Sequence, residues 1–229
     1  MIDSNAMEGN LPNAGAIAFF DLDGTLVVGQ TQRLLVSFMR REGLVGIGFL
    51  VGVGVWFTAY RLGLVRATDS ARAKAAELMV GRSVIETAEL MDRFTREDLT
   101  PRLHVGAVAA LRQHQERGDE VVIVSAALMP VVEGLARHLG VRSCEGTRLE
   151  TSGGTYTGSV AGKALYGAEK RTVAHRILEE RGADPERCYA YADHETDVDL
   201  LGLVGHPVAV SPRPGLAAVA RERGWQIIP

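Results

Sequence analysis

The stretch that most constrains the fold is Ala16 to Thr25, AIAFFDLDGT. Its uncharged residues Ala16, Ile17, Ala18, Phe19 and Phe20 predict a short strand buried on both faces. Asp21 and Asp23 follow at once, then Gly24 and Thr25. One residue separates the two aspartates, so both face the same side of a chain that continues as a strand. Gly24 lets the backbone turn away. Two carboxylates at the end of a buried strand repel each other and lose hydration, which requires positive charge nearby. In an open α/β sheet that strand end is where ligands bind. A hard cation with oxygen ligands, Mg²⁺ above all, would offset the repulsion. The same residues also fit an ordinary turn with solvated acids, and later stretches decide between the two.

Glu120 to Ser125, EVVIVS, predicts a second strand of the doubly covered, parallel kind. Ser125 stands at its carboxyl end, and a helix opens near Pro130. A hydroxyl there, with the free backbone N–H groups of Ala126 and Ala127 and the helix N-terminus, makes an anion site. A plain strand-end turn is the other reading. Gly167-Ala168-Glu169-Lys170 opens a helix expected to run to Arg181. A lysine on a first turn is ordinarily solvated. Arg187 to Ala192, RCYAYA, predicts a further short strand, and Asp193-His194-Glu195-Thr196-Asp197 follows its end.

Taken in order, these segments resemble the motifs of haloacid dehalogenase-like (HAD) phosphohydrolases. DLDGT resembles the first motif, which implies Asp21 as nucleophile and Asp23 as general acid/base. Ser125 falls at the second motif. Lys170 falls where the family lysine stands, with Lys163 as the rival candidate. Asp193 and Asp197 fall at the fourth motif, whose usual form is Gly-Asp-Ser-x-x-Asp; Ala192 and His194 depart from it. The tail from Val204 to Pro229 resembles subfamily IB, the phosphoserine phosphatase-like branch. The resemblance implies an α/β fold, a Rossmann-like parallel sheet core with an all-helical cap inserted after the first strand. It implies Mg²⁺ held by Asp21, the backbone carbonyl of Asp23 and Asp193. Phosphate contacts would come from Gly24, Thr25, Ser125, Ala126 and Lys170, with Asp197 and His194 in support behind the metal. The implied reaction is hydrolysis of a small phosphorylated substrate through an aspartyl-phosphate. A phosphotransferase using the same intermediate, and a catalytically silent binding module using the cap, are the alternatives.

The expected division is a tail over 1–14, a catalytic core over 15–30 and 101–229, and a helical cap over 31–100. Ser4-Asn5-Ala6 before Met7 resembles a cloning scar. Within the cap region, Gln30 to Arg41 has helical spacing, Thr68-Asp69-Ser70 offers a helix cap, and Ser83 with Glu86 forms a capping box. Pro101 to Arg117 predicts an amphipathic helix, and Cys144 to Val160 two short strands around Gly153-Gly154. The tail predicts a strand (Pro207 to Val210), a helix (Gly215 to Arg223) and a last strand (Trp225 to Ile228).

Net charge is −3 with mixed signs, so no polybasic surface points to nucleic acid. Cys144 and Cys188 lack metal spacing and suit free thiols in a reducing cytosol. Gly43 to Tyr60 is a run of 18 residues without a charge. A single crossing would put Asp21 and the later motifs on opposite sides of a bilayer, so this run is read as cap core, as a face for lipid or an apolar substrate, or as a dimer surface. The protein is expected in the cytoplasm, with peripheral membrane or lipid contact through Gly43–Tyr60 as the variant reading and the oligomeric state open. Phosphoserine phosphatases carry a Glu soon after the first motif, and Gln30 stands there. That argues against phosphoserine, and the apolar run favours an amphipathic or lipid phosphate.

Overall fold

A computed structural model of the chain describes residues 15–46, 48, 52, 55 and 75–229. In chain order its strands are β1 (Ile17–Phe20), β2 (Glu120–Leu128), β3 (Ser143–Thr147), β4 (Leu149–Ser152), β5 (Thr155–Val160), β6 (Tyr189–Ala192), β7 (His206–Val210) and β8 (Gln226–Ile228). The helices are α1 (Thr31–Arg41), α2 (Val84–Phe94), α3 (Val105–Arg117), α4 (Met129–His138), α5 (Ala168–Arg181), α6 (Val198–Leu201) and α7 (Pro214–Arg223).

Six strands form one sheet in the order β3-β2-β1-β6-β7-β8, every neighbouring pair parallel. β1 sits at its centre because it is apolar on both faces. Ala18 and Phe20 point into one core cluster, Ile17 and Phe19 into the other. β2 splits the same way, with Val121 and Ile123 on one side and Val122 and Val124 on the other. Strand order runs outward in opposite directions from the β1–β6 pair, so the crevice of a doubly wound sheet opens at the carboxyl ends of these two strands.

Helices α1 and α2 lie in the insertion after β1. The chain returns through a π-helical turn (Thr95–Leu99) and a 3₁₀ turn (Thr100–Arg102). The outgoing and returning segments pair, Val28 N donating to Arg102 O (2.8 Å) and His104 N to Leu26 O (2.9 Å). The hairpin β4–β5 turns at Gly153-Gly154, both with positive φ. It bonds the inserted region, Gly81 N donating to Tyr156 O and Tyr156 N to Arg82 O.

Several local expectations change. α3 begins at Val105, not Pro101. Pro101 belongs to the 3₁₀ turn, and His104 caps α3 with Nδ1 accepting from Ala107 N. Cys144 to Val160 contains parts of three strands, because β3 joins the main sheet beside β2. Ser83 occupies the N-cap position of α2, but its side chain makes no cap bond, so the capping box is not formed. The tail over 1–14, the Thr68-Asp69-Ser70 cap and all of Gly43–Tyr60 except 43–46, 48, 52 and 55 lie outside the described residues. Among the described residues no helix is long and apolar enough to cross a membrane.

Candidate active site

The β1–β6 ladder continues one residue past β1, Asp21 N donating to Tyr191 O at 2.9 Å. This fixes the Asp21 backbone at the mouth of the crevice. The Asp21 side chain is buried, and Lys170 reaches it from the first turn of α5. Lys170 Nζ donates to Asp21 Oδ1 at 2.6 Å and to Asp197 Oδ2 at 2.8 Å. All three groups are at most 4% exposed. Burial pushes the Asp21 carboxyl up to about 7, against the downward pull of Lys170. Burial works against the Lys170 ammonium, but Asp21 and Asp197 outweigh it and raise its pKa above the ordinary lysine value. Lys170 therefore stays charged. The second oxygen of Asp197, Oδ1, is buried without a hydrogen-bond partner among the described residues.

Asp23 takes a different partner. Its Oδ1 accepts from Thr31 N at 2.6 Å, at the N-terminus of α1. Burial raises the Asp23 pKa, and the Thr31 bond opposes it. Gly24 then turns the chain at φ +85°, and a Cβ there would collide with the Asp193 carboxylate. Glycine at 24 is thus what lets Asp193, arriving from the end of β6, lie against the first loop. Burial raises the Asp193 pKa, opposed first by Arg213. Arg213 Nε stands 3.4 Å from Asp193 Oδ2.

Asp21, Asp23, Ser125, Lys170, Asp193 and Asp197 line one cleft of about 210 Å³. Ala126 and His194 line it as well. Ser125 lies within β2, which runs on to Leu128, and its Oγ accepts from Ala127 N at 3.1 Å. The Ala127 N–H, expected free for an anion, is therefore already used. His194 caps the 3₁₀ turn Glu195–Asp197, its Nδ1 accepting from Thr196 N at 3.2 Å. Gly24 lies beneath Asp193 and not on the cleft wall. Thr25 is fully buried away from the cleft, its hydroxyl without a partner among the described residues. Lys163 is exposed and pairs with Glu169 (2.8 Å), so of the two lysines only Lys170 enters the cluster. Sequence reasoning missed Arg213, Tyr166 and Gln32, which also line the cleft. For Arg213 a signal existed: Pro212-Arg213-Pro214 follows the strand β7, and loops at that end of the sheet border the crevice.

Among the described residues no set of three His, Cys, Asp or Glu side chains is arranged to hold a metal ion. That does not disqualify Mg²⁺, which keeps several waters and takes one or two carboxylates plus phosphate oxygens. Asp21 and Asp193 supply two carboxylates on the same cleft, beside the close approach that Gly24 permits. The donor set fits a hard divalent cation of this kind.

The sequence model of haloacid dehalogenase-like hydrolases matches residues 18–202. Phosphoserine phosphatase SerB1 of Mycobacterium tuberculosis is 34% identical over 221 residues, covering 93% of this chain and 70% of that protein. Histidinol-phosphatase of Neisseria meningitidis is 29% identical over 217 residues, covering 93% of this chain and 97% of that one. Among solved structures, a protein of unknown function from Bordetella pertussis Tohama I superposes with a TM-score of 0.83 at 30% identity, over 94% of this chain and 99% of that one. A phosphoserine phosphatase holding a phospho-aspartyl intermediate analogue shares the fold, with a TM-score of 0.62 at 20% identity over 93% of this chain and 92% of that one. The chain belongs to the haloacid dehalogenase-like hydrolase family, in its phosphoserine phosphatase-like branch, and it is a phosphatase of that family.

Proposed function

We propose that the protein is a Mg²⁺-dependent phosphomonoester hydrolase that works through an aspartyl-phosphate on Asp21. The observation that carries this reading is the buried Lys170 bridging Asp21 and Asp197 on the wall of the cleft. A carboxylate must approach an anionic phosphate, and a fixed ammonium 2.6 Å from it offsets that repulsion.

In the first step an Asp21 oxygen attacks phosphorus in line, and the bond from phosphorus to the ester oxygen breaks. Asp23, its pKa raised by burial, gives its proton to the departing alcohol. In the second step a water attacks the phosphorus of the aspartyl-phosphate and passes its proton to Asp23. Inorganic phosphate leaves, and both aspartates return to their starting states. Lys170 stays protonated throughout, and the Ser125 hydroxyl faces the phosphate from β2. Mg²⁺, held by Asp21, Asp193 and the backbone carbonyl of Asp23, would supply Lewis-acid neutralisation of the phosphate oxygens. Asp197 holds Lys170 in place. The insertion between β1 and β2, which carries α1 and α2, is the cap over the substrate.

For the substrate we propose a small phosphorylated alcohol bearing a nitrogen function. Its support is the names of the relatives, a phosphoserine phosphatase and a histidinol-phosphatase. Gln30, a neutral amide on the cleft wall, stands where phosphoserine phosphatases carry a Glu, which argues against phosphoserine itself. The lipid-phosphate reading rests on Gly43–Tyr60, most of which lies outside the described residues.

A panel of amino-alcohol, sugar, nucleotide and lipid phosphates, with Mg²⁺ and with EDTA, tests the reading. Release of inorganic phosphate from amino-alcohol phosphates, silenced by EDTA, is expected. Turnover unaffected by EDTA removes Mg²⁺, and transfer of the phosphoryl group to an added alcohol in preference to water makes the protein a phosphotransferase.

A further inference from the structure

Two strong bases line the cleft, Lys170 and Arg213. Lys170 is committed to Asp21 and Asp197. Arg213 is the charged partner of Asp193, with Nε 3.4 Å from Oδ2. Its backbone is held firmly, while its side chain is about half exposed. Arg213 N donates to Asp193 O at 2.9 Å, which ties the loop after β7 to the end of β6. Prolines 212 and 214 flank it and restrict the backbone on both sides. Two residues earlier, Ser211 has φ +38°, the one non-glycine residue with positive φ among those described. Such a conformation is unfavourable and persists only where its surroundings enforce it. Here Ser211 N donates to Ile228 O at 2.8 Å and its hydroxyl meets His104 Nε2 at 3.0 Å. A strained, doubly proline-bounded loop therefore delivers one guanidinium to one carboxylate, while the Arg213 side chain remains 49% exposed. The fold does not need that side chain for packing.

We infer that Arg213 is a positioning residue acting through Asp193, a resident cation that neutralises this carboxylate before a metal ion arrives and opposes the ion's charge once it is bound. The inference rests on the proposal that Asp193 is a metal ligand. Two effects of Arg213 on metal binding compete. It orients Asp193, which favours the ion, and it adds like charge a few ångströms away, which disfavours it. Burial and contact with Gly24 already fix the Asp193 carboxylate, so orientation contributes little. The charge repulsion wins. Arg213 thus keeps the affinity for the divalent ion low, and the ion exchangeable.

The test is Mn²⁺ binding followed by electron paramagnetic resonance on the full chain without substrate, with Mg²⁺ as competitor. Arg213→Gln should bind Mn²⁺ about tenfold more tightly than wild type. Arg213→Lys, which keeps the charge, should stay within about threefold. A residue with a merely structural role would weaken binding on removal, the opposite sign. Asp193→Asn separates the layers of the argument. If Asp193→Asn loses the ion while Arg213→Gln binds it no more tightly than wild type, the inference fails and the metal site stands. If Asp193→Asn binds Mn²⁺ like wild type, Asp193 is no ligand, and the metal assignment and the role of Arg213 fall together.

Discussion

At the carboxyl ends of β1 and β6, Lys170 joins Asp21 and Asp197; near the start of β2, His114 joins Asp119 and Tyr191. Both clusters centre on a buried base, Lys170 or His114, and both hang on the same central strands. In the second, His114 Nδ1 lies 2.7 Å from Asp119 Oδ2 and Nε2 lies 2.9 Å from Tyr191 Oη. Arg117 Nη2 also stands 2.7 Å from Nδ1 and 3.2 Å from Asp119 Oδ2, so both ring nitrogens have partners. Tyr191 in turn stacks flat on Phe20, with ring centroids 4.2 Å apart. Both ring nitrogens and the Tyr191 hydroxyl of that chain of contacts have partners, and the buried His114 ring does not line the phosphate cleft. The first cluster is different. It carries two carboxylates against one ammonium, leaves Asp197 Oδ1 unpartnered among the described residues, and faces the cleft with Asp23 and Asp193 nearby. A satisfied network holds strands together. A network with surplus negative charge beside a cleft is prepared for a cation and an anionic ligand to complete it.

The contrast can be broken by mutating each cluster in turn. The largest effect is expected at Lys170. Lys170→Met leaves two buried carboxylates without their cation, and removing one partner of a buried charge cluster costs about 3–5 kcal/mol. Phosphatase turnover should fall at least about a thousandfold, as for a group acting with the nucleophile as one unit. Denaturant melts and steady-state assays read the two losses separately, and unchanged stability would mean the cluster is not the buried pair described. Asp21→Asn should lose turnover to a similar extent while the protein stays folded, since it removes one of the surplus negative charges. A variant that keeps near wild-type turnover contradicts nucleophilic attack by Asp21.

His114→Gln is expected to do the reverse, destabilising by about 1–3 kcal/mol with turnover close to wild type. A large loss of activity in a folded His114→Gln protein would erase the distinction between the two clusters. A smaller effect is carried by pH. Burial lowers the His114 pKa below its ordinary value of 6.5. The neutral ring is then the form the fold prefers. Its contribution is complete above about pH 6.5 and declines as pH falls toward the folded-state value, because the unfolded chain takes up the proton first. The melting temperature of wild type should therefore drop more between pH 7 and 5 than that of His114→Gln.

How much of this was legible in the sequence depends on the kind of signal each element leaves. β1 and β2 are continuous apolar runs followed by polar strand ends, so both they and the adjacent site residues could be placed from spacing. Lys170 could be placed only through the family resemblance, because a lysine on a first turn is ordinarily solvated. β3 could not be assigned to the main sheet. SCEGT has no apolar run, and its membership rests on backbone pairing and on Gly146, where a Cβ would press on Val132 and the Met129 and Ala127 backbones. The resemblance implied separate roles for Asp21 and Asp23, but their spacing did not. Spacing puts both on one side, but only the tertiary arrangement turns Asp23 to the α1 N-terminus and Asp21 to Lys170. The role of the Ala127 N–H was misjudged for the same reason, because β2 runs past Ser125 and a local hydroxyl claims the donor. Arg213 left a trace in the paired prolines, but the strained φ of Ser211 that aims it is a property of the folded loop.

The central claim is that the surplus-charge cluster at the end of β1 carries the phosphoryl group on Asp21. Acid quenching of Asp23→Asn during turnover, followed by peptide mass spectrometry, tests it most directly. The account predicts one added phosphoryl mass on the peptide containing Asp21, absent from Asp21→Asn. Substrate turnover with that peptide unmodified, or with the phosphoryl group on another residue, would contradict it.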